Sequence, residues 1–153
     1  LMYLITETTQ DNVRLITEAE ESGKKTFFIE GIFMQSDVKN RNGRLYPADI
    51  LNKEVDRYNS EFVQKNRAMG ELGHPEGPTV NLERVSHLIK DLRIEGKDVI
   101  GKAKILDTPM GKIAQNLLGE GCMFGVSSRG MGSLQEKKGV NYVQDDFMLS
   151  TVD

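Results

Sequence analysis

Two strand-like runs in the middle of the chain, Arg84 to Ile94 and Asp98 to Leu106, are joined by Glu95-Gly96-Lys97-Asp98. In the second run Val99, Gly101, Ala103 and Ile105 fall on alternate positions, the period of a pleated strand with one face in a core. The pair reads as a β-hairpin and commits the chain to an antiparallel sheet. Thr26 to Gln35, where Phe27, Ile29 and Phe33 alternate with Phe28 and Glu30, reads as a largely buried strand. The segment from Gly125 and a last run from Val140 to Asp153 add further strands, with a turn over Glu136 to Gly139 between them. Helical spacing is confined to three places. Pro47 to Lys65 carries Ile50, Leu51, Val55, Tyr58 and Phe62 at three- and four-residue intervals. A second helix opens at Asp107-Thr108-Pro109, carries Ile113 and Leu117, and stops at Gly119 or Gly121. A short acidic helix is expected over Asp11 to Glu21, with Asp11 as its cap. Strands outnumber helices, so the expected class is mainly β with flanking helices, an α+β fold.

The chain has 153 residues, enough for one domain with a sizeable core. No apolar run approaches the length of a membrane span. A net charge of −3 with interspersed signs leaves no basic face for nucleic acid. The single cysteine, Cys122, excludes an internal disulfide and reads as a small buried hydrophobe. No leader is recognised, and Leu1 ahead of Met2 is set aside as foreign to the fold. Residues 26–153 are expected to form a single domain, with 1–25 as a weakly held, flexible N-terminal segment. That segment contains an echo, Leu4-Ile5-Thr6-Glu7 and Leu15-Ile16-Thr17-Glu18.

Chemistry is concentrated in Gly125-Val126-Ser127-Ser128-Arg129-Gly130. A serine that attacks a carbonyl needs a base, room for the substrate and donors for the oxyanion. Gly125 and Gly130 offer room, while the Arg129 side chain and the amides of Ser128, Arg129 and Gly130 are candidate donors. A Ser/Gly-rich edge strand would look the same. Neighbours in a strand face opposite sides, so the residues alone do not choose between Ser127 and Ser128. The chain has two histidines. His74, in Leu72-Gly73-His74-Pro75-Glu76, lies in a loop and is the candidate base; His87 lies mid-strand and reads as a satisfied, half-buried ring. Candidates for a third, orienting carboxylate are Glu71, Glu76 and Asp153, the last only if the final strand returns beside the serine. Asn40-Arg41-Asn42-Gly43-Arg44 reads as a solvated turn.

Four separated motifs then carry a resemblance: Ile29-Glu30-Gly31-Ile32-Phe33, Asn40-Arg41-Asn42-Gly43-Arg44-Leu45-Tyr46-Pro47, Gly70-Glu71-Leu72-Gly73-His74-Pro75 and Gly125-Val126-Ser127-Ser128-Arg129-Gly130-Met131-Gly132-Ser133-Leu134. In order and spacing they resemble the prohead core proteases of tailed bacteriophages, from about Thr26 to Asp153. The resemblance implies a serine endopeptidase related in fold to the herpesvirus assembly proteases, an antiparallel β-barrel surrounded by helices. It implies Ser127 as nucleophile, His74 as base and Asp153 as the acid; the herpesvirus relatives use a second histidine there, a place His87 does not fill. It also implies cleavage after glutamate with an aliphatic residue two positions earlier. Arg41, Arg44 and Arg129 are then candidates to receive the carboxylate, and Glu7 and Glu18 are candidate self-cleavage sites.

The implied location is inside the prohead in the host cytoplasm. Implied partners are phage scaffold and capsid precursor proteins as substrates and further copies of the chain, with no nucleic acid, membrane, cofactor or metal. Relatives continue past the position of Asp153, so a C-terminal segment is expected to be missing. The alternative is a non-catalytic prohead scaffold or assembly module with a protease-like fold. A zinc site from Glu71, His74, His87 and Cys122 matches no compact ligand spacing.

Overall fold

The computed structural model describes residues 2–9, 13–19, 22–75 and 77–153. Eleven strands and two α-helices follow in the order β1 (Tyr3–Thr8), β2 (Arg14–Ala19), β3 (Lys25–Gln35), β4 (Arg44–Leu45), α1 (Ala48–Tyr58), β5 (Met69–Glu71), β6 (Val85–Glu95), β7 (Asp98–Ile105), α2 (Pro109–Gly119), β8 (Ser127–Gly132), β9 (Leu134–Lys137), β10 (Val140–Val143) and β11 (Met148–Val152). They form a five-stranded sheet ordered β2-β3-β7-β6-β5, a three-stranded sheet ordered β1-β8-β11, and a small sheet ordered β4-β10-β9. The expected α+β composition holds. No closed barrel is found for the expected antiparallel β-barrel: among the described residues the strands form three separate sheets.

The hairpin forms as its alternation requires, with Glu95 opposite Asp98 and Ile89 opposite Ala103. β7 alternates strictly between buried and half-exposed residues, so one face lies in the core beside Phe33, Ile89 and Leu92. Gly101 is required there, since a Cβ would lie 2.2 Å from the Phe33 ring. α1 lays Leu51, Val55 and Tyr58 on the core and passes into a π-helical turn, Asn59–Val63, where Phe62 stacks on Tyr58 at 5.0 Å. α2 is capped by Thr108, whose hydroxyl accepts from the Gly111 amide and donates to the Val85 carbonyl, docking the helix at the start of β6.

The N-terminal region departs from expectation. Of the acidic segment expected as a helix, Arg14–Ala19 is a strand paired antiparallel with β3; Asp11, Glu20 and Glu21 lie outside the described residues. Nor are the described strands of this region loosely attached. β1 pairs with β8 along its whole length, and Ile5 is 1% exposed in the core. The final run, expected as one strand, is split into β10 and β11 by a turn. Cys122, expected in the interior, is exposed.

Candidate active site

Ser127 opens β8, and both its neighbours in the sheet contribute to its surroundings. On one side Ser127 and Asp153 exchange backbone hydrogen bonds, Ser127 N–H to Asp153 C=O at 3.0 Å and Asp153 N–H to Ser127 C=O at 2.7 Å. Alternation along a strand then turns the N–H and C=O of Ser128 the other way, toward β1, where Glu7 lies directly opposite. The Thr9 N–H bond to the Val126 carbonyl, 2.9 Å, fixes the same phase. Side chains alternate as well. Ser127 faces a cavity of about 450 Å³, while Ser128 faces a smaller one of about 160 Å³ across the sheet. The pleat thus separates the two serines: Ser127 shares its cavity with His74, and Ser128 does not.

The larger cavity brings together Ser127, His74, His87, Glu71, Ser86 and Asp153 under apolar walls that include Leu117, Leu118 and Phe124. His74 is exposed, in the loop between β5 and β6 at the cavity's edge. Among the described residues no hydrogen bond links it to Ser127 or Asp153; the Ser127 hydroxyl instead lies 2.8 Å from the Thr8 hydroxyl. Catalytic hydrogen bonds are often absent from a free enzyme and form with substrate, so this spacing leaves His74 its role as candidate base.

His87 is buried, with both ring nitrogens engaged: Nε2 donates to the Val152 carbonyl at 2.7 Å, and Nδ1 accepts from the Ser86 hydroxyl at 2.9 Å. Burial holds its pKa below the ordinary value, so the ring is neutral, which suits this tautomer. It packs against Gly70, where a Cβ would sit 2.1 Å from Nε2. His87 is thus a prop beneath the strand that ends in Asp153, as a satisfied interior ring should be.

Arg129, expected to offer a donor to the oxyanion or to a substrate carboxylate, has none left. It is 0% exposed, and its five N–H groups are all committed. Nε and Nη2 donate to the Asp153 carboxylate at 2.9 and 3.2 Å, Nη2 to Glu71 Oε2 at 3.0 Å, and Nη1 to the carbonyls of Gly77 and Thr79 at 2.6 and 2.8 Å. Asp153 Oδ1 also accepts the Glu71 amide at 3.0 Å. The loop that carries His74 is therefore fastened on both sides, at Glu71 and at Gly77 and Thr79, to the residue two places after Ser127. Glu71 Oε1, also buried, takes no hydrogen bond among the described residues and lies 3.9 Å from Arg84 Nε. Gly130, expected to give a substrate room, gives it to packing: a Cβ there would meet the Met148 carbonyl at 2.6 Å and the Phe147 ring at 2.7 Å.

The turn at Asn40–Arg44 is not simply solvated. Arg44 and Tyr46 bind the Glu7 carboxylate, and Asn42 Nδ2 donates to it at 2.7 Å; Arg41 remains exposed. Thr8 and this cage around Glu7 were not signalled by any local pattern, because they depend on β1 pairing with a strand more than a hundred residues away. Among the described residues no group of three His, Cys, Asp or Glu side chains is arranged to hold a metal ion.

A candidate nucleophile, a histidine loop and a buried carboxylate thus meet at one cavity. Residues 4–153 match the prohead core protein serine protease family, to which the chain belongs. It is 42% identical over 131 residues to the prohead core protein protease of Enterobacteria phage T4, covering 83% of this chain and 61% of that protein's length. The solved structure of the bacteriophage T4 capsid assembly protease, gp21, superposes with a TM-score of 0.90 at 36% identity, over 99% of this chain and 96% of that one.

Proposed function

We propose that the chain is a serine endopeptidase of phage prohead maturation. What carries this is the convergence of Ser127, His74 and Asp153 on one cavity. Ser127 Oγ attacks the scissile carbonyl, and His74 takes its proton and returns it to the leaving amine. Asp153, bonded to Ser127 through the backbone and to Arg129 through its carboxylate, is the acid of the set and lines the same cavity as His74. With Arg129 fully committed, oxyanion stabilisation falls to backbone amides, foremost that of Ser128. Scaffold and capsid precursor proteins are the substrates, processed inside the prohead in the host cytoplasm by an assembly of several copies.

Cleavage after glutamate extends to the chain itself, at Glu7 and Glu18. The two sites differ in access. Glu18 lies exposed on β2, an edge strand, whereas Glu7 is buried and caged.

The bond between Thr8 and Ser127 and the absence of one to His74 also suit a non-catalytic scaffold module. Comparing the wild-type chain with Ser127→Ala and His74→Ala by intact mass decides between them. Termini at Glu7 or Glu18 that form only in the wild type support the peptidase; three chains that stay intact on incubation with scaffold protein, which also stays intact, support the scaffold module.

A further inference from the structure

Glu7 is 9% exposed, yet its carboxylate is fully attended. It accepts from Arg44 Nη1, from Asn42 Nδ2 at 2.7 Å and from the Tyr46 hydroxyl at 3.0 Å, three residues at alternate positions of one short segment. That segment is shaped without help from Glu7. Asn40 Oδ1 accepts the amides of Asn42 and Arg44, each at 3.0 Å, the Asn40 N–H bonds the Arg44 carbonyl, and Gly43 turns the chain at φ +76°. Burial and the Glu7 charge raise the Tyr46 pKa, so its hydroxyl is a permanent donor. A preorganised set of donors around one carboxylate is what a recognition site requires. A side chain needed only to fasten β1 would be served as well by an apolar residue, as Ile5 is.

One residue along, Thr8 Oγ1 lies 2.8 Å from Ser127 Oγ, and the Glu7 carbonyl faces the Ser128 N–H across the ladder. The bond between Glu7 and Thr8 therefore runs beside the Ser127–Ser128 pair, with the Glu7 side chain on one face of the sheet and the serine hydroxyl on the other.

We propose that Asn42, Arg44 and Tyr46 form the carboxylate subsite of the enzyme, and that β1 occupies it in cis as a substrate-like strand. The inference rests on the peptidase reading and specifies its substrate recognition. In the reaction a bond forms between Ser127 Oγ and the Glu7 carbonyl carbon, the hydroxyl proton passes to His74, and the oxyanion is held by the Ser128 amide. The bond to the Thr8 nitrogen breaks as His74 protonates that amine, and water then hydrolyses the ester to free Ser127 and a Glu7 carboxylate. Residues 3–7 can then leave, opening the edge of β8 and the cage to a second strand with glutamate in the same register.

The test uses the full chain and two quenched fluorescent peptides, one with the sequence of residues 3–9 and one with glutamine in place of Glu7, with a fluorophosphonate to count reactive Ser127. The wild type is expected to favour the glutamate peptide by about 10- to 150-fold in kcat/KM, the span of a charge-assisted hydrogen-bond set. Tyr46→Phe should lower that preference several-fold, and Arg44→Met should bring it near unity, mainly through KM. An unchanged preference in Arg44→Met, or turnover of neither peptide by a wild-type chain whose Ser127 is labelled, overturns the subsite. If Arg44→Met does not fold, an unchanged preference in both Tyr46→Phe and Asn42→Ala overturns it. A wild-type Ser127 that the fluorophosphonate never labels overturns the peptidase reading itself.

Discussion

Asp153 is bonded to Ser127 through both backbone groups, at 3.0 and 2.7 Å, while its carboxylate is held by Arg129. The nucleophile and the buried ion cluster thus share a residue, and disturbing one disturbs the other. Arg129→Met leaves the buried Asp153 without its cation and Glu71 with only Arg84 at 3.9 Å, a change that costs about 3–5 kcal/mol when one partner of a buried pair is removed. Urea unfolding is expected to show a loss of that order. Replacing Arg129 by Lys should recover only part of it, because an ammonium cannot reach two carboxylates and two carbonyls from one plane.

Gly70→Ala is expected to injure the site without touching it. The added Cβ would meet His87 Nε2 at 2.1 Å and the Val152 carbonyl at 2.5 Å, between the two partners of a hydrogen bond. Overpacking of this kind costs about 1–3 kcal/mol. The expected result is a lowered thermal midpoint together with reduced fluorophosphonate labelling of Ser127, since the strand ending in Asp153 must shift.

His87 makes stability depend on pH. Burial lowers its pKa in the folded protein, whereas the unfolded chain titrates near the ordinary value of 6.5. As pH falls below about 6.5 the unfolded state binds the proton first, so stability is fully present above that pH and is lost on acidification. Between pH 7.5 and 5 the slope from this group is at most about 1.4 kcal/mol per pH unit. His87→Gln should flatten that part of the profile in denaturant titrations.

Self-processing should be ordered. Glu18 is exposed on an edge strand, held from outside by a 3.2 Å ion pair with Lys102, whereas Glu7 is enclosed within its cage. Because β1 occupies the subsite until it is cut, a time course by intact mass is expected to show free peptides ending at Glu7 before chains beginning at Ala19. Chains beginning at Ala19 that appear first would show that β1 does not block the subsite.

The hairpin, the strand at Ser127 and the two longer helices were legible because their signals are local. Val99, Gly101, Ala103 and Ile105 alternate, and Thr108 caps its own helix. Ser127 and His74 stood out as candidates from the residues around them, and that they line one cavity depends on long-range pairing no local pattern carries. The residues that decided other outcomes lie far apart in sequence. Val13, Ile16 and Ala19 have a helical spacing, which the pairing of Arg14–Ala19 with β3 and the Val13 amide's bond to the Phe124 carbonyl override. Arg129 looks free for chemistry until Glu71, Gly77, Thr79 and Asp153 converge on its guanidinium. Glu7 reads as a residue in a loose segment until β1 is laid against β8.

β8 lies between β1 and β11, the first and last strands described. Its two neighbours are therefore separated by nearly the whole sequence, and loop closure over such a span is slow compared with forming the central hairpin. A ribosome releasing this chain exposes the histidine loop and both helices well before Asp153 emerges to pair with Ser127. The nucleophile is thus assembled only after the histidine loop and both helices have been made, so the timing of its appearance is written into the order of the strands.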